Sequence, residues 1–267
     1  MNMLENSEFA ESMDSFENEN EDFDKGLFWK KETELIETQE SVRHELELAG
    51  IKETDLDGMR EVYQEKLAEA VSEMVDNYPE LRDFIGKVSV KDLSQHIYAL
   101  TGPRMGKDGF YTEIQFNLNR FSKVGLEYDI ADSETENYKG ERWFAGKGLK
   151  GIVEHELAHL LHLKLISQDM GLDPGDTGPL EYMELKHRYM VNDQIEEIIQ
   201  DAMNNLGIEK RDLKKELSIY GASDPGECFA EAISEHETSD SPRRLSNEIY
   251  RLYKEKIAAA GIGGRKL

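Results

Sequence analysis

The sequence predicts an α+β fold, and two observations carry that reading. Between about Leu81 and Leu118, short apolar stretches alternate with polar residues at period two, whereas the sequence before and after repeats at helical spacing. Within the main domain the strands come first and the helices after, the order of an α+β protein.

Taken in order, residues 1–26 hold nine acids and one lysine and lack periodicity, so an acidic disordered tail is expected there. Helical sequence follows in LFWKKETELIETQESVRHELELAG, stopping at Gly50. A second helix runs through DLDGMREVYQEKLAEAVSEMVDNYP, with Asp55 as its cap and Pro79 marking its end. Together residues 27–80 read as a helical hairpin arm ahead of a main domain at 81–260. FIGKVSVKDL and HIYALTG read as short strands. In TEIQFNLNRF, Ile114, Phe116 and Leu118 alternate with Glu113, Gln115 and Asn117, and this strand, 112–120, is expected to form an exposed edge able to pair with an extended peptide. Residues 122–142 read as a charged loop. A long apolar helix begins after Trp143-Phe144, a loop follows at GLDPGDTGP, and helical sequence continues to Ala260.

Charge narrows the function classes. The net charge is −24, and such a field repels phosphate backbones, so no nucleic-acid partner is expected. No apolar run is long enough to span a bilayer. The first residues lack the basic and apolar regions of a signal peptide, and a single cysteine, Cys228, suits a reducing compartment. A cytoplasmic protein without membrane partners is the expectation.

The long helix carries His155-Glu-Leu-Ala-His159. At 100° per residue, both histidines project from one face, one turn apart, and can converge on one ion. Glu156 lies beside that face, placed to take a proton from a water on the ion rather than to bind it. His162 is seven residues from His155, roughly 10 Å along a straight helix, too far to share the ion, so it reads as a packing residue. Zinc held by two histidines calls for one more protein ligand. Glu181 and Glu184 in PLEYMELKH could supply it. So could Glu227, which lies four residues before Glu231 in an apolar stretch containing Phe229, Ala230, Ala232 and Ile233. Buried carboxylates need partners, and Glu227 on the ion with Glu231 on a ligand imidazole would provide them.

His155-Glu-Leu-Ala-His159, followed by Tyr220-Gly-Ala-Ser-Asp-Pro-Gly-Glu227-Cys-Phe-Ala-Glu231, resembles the gluzincin metallopeptidases of the anthrax lethal factor catalytic-domain type. It is similar also to metallopeptidase domains of phage and prophage proteins, some attached to minor head proteins. The resemblance covers roughly residues 85–255. It implies a zincin-like fold in which a small mixed sheet precedes the HExxH helix and a helical C-terminal subdomain. It further implies one zinc per chain held by His155, His159 and Glu227, with Glu156 as general base. Tyr220 is implied to stabilise the oxyanion or protonate the leaving group, and Glu231 matches the family's second acid. Cys228 departs from the apolar or aromatic residue usual at its position. The implied activity is endopeptidase cleavage of a peptide or protein substrate, in a bacterial or phage-infected cell. The alternative is a catalytically silent zinc-binding structural or interaction protein.

Overall fold

The chain divides into two units, Met1–Val42 and Arg43–Leu267. In the computed structural model the described residues are 39–260, so the acidic tail and the start of the first helix lie outside them. A helix α1, described over 39–48, ends at Gly50, whose φ of +93° suits a residue without a Cβ. Asp55 does not cap a helix; it ends strand β1 (Glu53–Asp55). The next helix, α2 (Glu61–Asn77), starts six residues later and stops just before Pro79, as expected. α2 is not part of an arm separable at residue 80. Tyr63, Leu67, Val71 and Met74 are fully buried, and the helix packs against the long helix of the site within the larger unit.

Four strands form one mixed sheet in the order β1-β2-β4-β3, with β2 at Lys87–Lys91, β3 at Ala99–Met105 and β4 at Phe110–Asn117. β1 and β2, and β2 and β4, run parallel, while β3 and β4 run antiparallel. β4 is therefore interior, not the exposed edge that its alternation suggests. The edges are β1 and β3, and in β3 Pro103 is tolerated because an edge strand need not donate from every residue. Ile114 and Phe116 of β4 are fully buried in the core. Its polar side is covered too: Glu113 accepts from Ser89 Oγ of β2 and Arg104 Nε of β3. An alternating strand can thus be paired on both edges when its polar face has partners across the ladder.

A one-turn helix α3 (Leu118–Phe121) closes β4. The expected loop at 122–142 contains α4 (Leu126–Glu134), whose only buried residues are Leu126 and Ile130, too few to announce a helix in the sequence. α5 (Gly148–Asp169) is buried along nearly its whole length and forms the middle of the unit, touching α2, α4 and β3 as well as α6 (Pro179–Met190) and α9 (Pro225–Thr238). A helix apolar on every side belongs in a core. The others are α7 (Ile195–Leu206), the single turn α8 (Leu213–Glu216) and α10 (Arg244–Ala259). No described helix is long and apolar enough to cross a membrane.

Glycines let the segment entering α5 lie close against α5 and α9: a Cβ at Gly146 would strike Ser234 of α9. A Cβ at Gly151 would lie 2.7 Å from the carbonyl carbon of Gly146. Ser234 Oγ of α9 donates to the Gly151 carbonyl at 2.7 Å. Gly151→Ala should gain about 1 kcal/mol in helix propensity but lose more to overpacking against backbone that cannot rotate away. We expect a net destabilisation of roughly 1–2 kcal/mol in urea unfolding, and an alanine variant as stable as the parent would contradict this packing.

Candidate metal centre

Two local signals aim the site's side chains. On α5, the four-residue spacing brings the rings of His155 and His159 together edge to face, 4.9 Å between centroids. On α9, Asp224 caps the helix by accepting from the Gly226 N–H at 2.8 Å, and Pro225 occupies the first helical position. That cap places Glu227 in the first turn, facing α5, with Glu231 one turn further along the same face.

Three donor atoms converge. His155 Nε2 lies 3.1 Å from Glu227 Oε2 and 3.2 Å from His159 Nε2, and the remaining separation, from His159 Nε2 to Glu227 Oε2, is 3.4 Å. Donors bound at ~2.0–2.1 Å around a tetrahedral centre stand roughly 3.3 Å apart, so the triangle fits a zinc-sized ion. His155, His159 and Glu227 form the one group among the described residues with metal-ligand geometry. Glu181 and Glu184, the other sources of a third ligand, are exposed on α6.

Glu231 lies behind this triangle and is 2% exposed. Its Oε1 takes a hydrogen bond from His155 Nδ1 at 2.9 Å; its Oε2 accepts from Ser218 Oγ at 2.9 Å and from the Ala145 N–H. Protonation of Nδ1 leaves the Nε2 lone pair pointing at the other two donors. The electrostatics favour a cation there. Burial would push His155 down, but hydrogen bonds to Glu227 and Glu231 outweigh it and hold its pKa well above the ordinary imidazole value. Glu227 sits below the usual carboxylate range, although burial opposes this, because both imidazoles attract its charge.

Glu156, 6% exposed, is not among the three donors and accepts a hydrogen bond from Thr101 Oγ1 at 2.6 Å. The Tyr220 ring stacks on that of His155 at 5.7 Å and also packs on Trp143 and Phe144. Burial, then the charges of Glu227 and Glu156, raise its phenol pKa above the ordinary value, so it remains a proton donor. His162 has a separate role: Nε2 hydrogen-bonds the Asp193 carbonyl at 3.0 Å, and burial pushes its pKa down to about 3. Cys228 is buried beside the ligand, its thiol pushed up to about 12 by that burial, so the departure at this position leaves the donors undisturbed.

Sequence reasoning missed four groups. Thr101, Ser218 and the Ala145 N–H reach their carboxylates across 55, 13 and 86 residues, separations that leave no local pattern. The fourth is Tyr189 of α6, whose ring packs edge-on against His159 and lies 5.0 Å from His162. Tyr189 sits in PLEYMELKHRYM, a stretch that shows only ordinary amphipathic spacing.

Beside the centre lies a cavity of about 290 Å³, lined by Ile97, Tyr98, Ile130, Phe144 and Ile152 together with His155 and Glu156. The chain matches no family model, no curated protein and no solved structure.

Proposed function

We propose that the protein is a zinc-dependent endopeptidase with a zincin-like fold, His155, His159 and Glu227 holding the ion. The observation that carries this reading is the triangle of donors with an unligated carboxylate, Glu156, on the same helix. Bound there, zinc supplies Lewis-acid chemistry, polarising water and the scissile carbonyl. Glu156 accepts the attacking water's proton and passes it to the departing amine. The Tyr220 hydroxyl donates to the carbonyl oxygen as negative charge develops on it. Glu231 keeps His155 in the tautomer that ligates. As an edge strand, β3 could take the role first expected of β4 and pair with an extended peptide beside it, except at Pro103, whose carbonyl accepts from the Tyr182 hydroxyl.

The lining of the cavity supports a preference for one kind of side chain. Apolar and aromatic walls reject a charged group and accept a bulky apolar one. Cleavage of a random peptide library, read by sequencing the products, should show aliphatic or aromatic residues enriched beside the scissile bond. Enrichment of acidic or basic residues there would contradict the assignment. The test of the reading itself is library cleavage by the zinc-loaded protein and its loss in Glu156→Gln. A zinc-binding protein without turnover would bind the metal and leave the library intact.

A further inference from the structure

Glu156 is a carboxylate in an unusual position. It is nearly buried in the middle of α5, and among the described residues a single hydrogen-bond donor reaches it, the Thr101 hydroxyl. Oε2 accepts that bond, and Oε1 accepts none from the described residues. A glutamate side chain has three rotatable bonds, so one strong contact decides which way the carboxylate plane faces.

We propose that Thr101 is a positioning residue: from the edge strand, it pins one oxygen of Glu156 and leaves the other free to receive a proton. The role in turnover rests on the peptidase reading above; the tether itself does not. The setting of Thr101 suits a fixed donor. It lies in the middle of β3, in register with Ile114 of β4, which is fully buried, so its backbone is held by the sheet. Its branched Cβ restricts χ1, so the hydroxyl has a fixed direction. The strand that holds Glu156 is also one of the two edges of the sheet. A peptide laid along β3 therefore meets the strand that aims the general base, and docking and base orientation share one element.

Thr101→Val removes the hydroxyl while keeping the branched shape and the volume. Hydrogen bonds to charged groups are worth enough that kcat should fall about tenfold to hundredfold, with KM moving by less than about twofold. Thr101→Ser, which keeps the donor, should recover most of that rate. Zinc content should match the wild type in both variants, since no ligand is touched. An unchanged kcat in Thr101→Val, or valine and serine variants falling together, would overturn the proposal.

A second readout does not depend on turnover. Infrared difference spectra of the zinc-loaded protein contain a Glu156 carboxylate band, identified by its disappearance in Glu156→Gln. That band should shift in Thr101→Val and stay in place in Thr101→Ser. If the wild type cleaves no peptide, the peptidase reading fails, and the infrared result alone decides the tether: a valine-specific shift supports it and no shift overturns it.

Discussion

Glu156→Gln should keep its zinc and lose between about a hundredfold and ten-thousandfold in kcat, the range that a positioned general base contributes. This corresponds to roughly 3–5 kcal/mol of barrier. Glutamine preserves the shape and can still accept from Thr101 through its amide oxygen, so the helix and its contact with β3 survive. What it cannot do is take a proton from water. Zinc should be retained because Glu156 does not belong to the donor triangle of His155, His159 and Glu227. Parallel measurement of zinc content and of initial rates on a cleaved peptide checks both halves. Retained zinc with an unchanged rate would remove Glu156 from the chemistry. Lost zinc would mean that it contributes to binding the ion, contrary to its place beside the triangle.

The parts of this site legible in the sequence are those fixed by helix geometry. His155 and His159 face together because they are four apart, and so do Glu227 and Glu231. Each is a local regularity. The parts not legible are set by pairing between distant segments. Which strand is the edge depends on β2 and β3 both choosing β4, and β4's own alternation reads the same inside a sheet or at its margin. Asp55 looks like a cap because acids begin helices, but three residues of β1 are claimed by the parallel pairing with β2. Glu231 reads as the partner of a ligand imidazole, but Ser218 and the Ala145 N–H, which hold its other oxygen, come from segments that no local pattern links to it. α4 is invisible because two buried side chains suffice to dock a nine-residue helix.

Glu227→Ala should abolish stoichiometric zinc binding while leaving the fold in place. Losing an outer partner of a ligating histidine costs about 10–100-fold in metal affinity, and losing one of three direct ligands costs more. The fold should tolerate the change. Glu227 stands in the first turn of α9, where an acid contributes about 0.3–1 kcal/mol through the helix dipole, and the Asp224 cap that starts the helix remains. Thermal unfolding of the metal-free variant should come somewhat below that of the metal-free wild type, because the carboxylate that both imidazoles hold is gone, and only the wild type should gain stability on adding zinc. Acidification should weaken binding in the wild type as well. His155 must give up a proton to ligate, and its partners hold that proton to a pH well above the ordinary imidazole range. Affinity therefore rises with pH until His155 is neutral and falls as pH drops below that point. Full zinc retention in Glu227→Ala would move the third ligand elsewhere. Exposed Glu181 and Glu184 would have to swing in from α6 to supply it, so the same titration repeated on Glu181→Ala and Glu184→Ala would then decide between them.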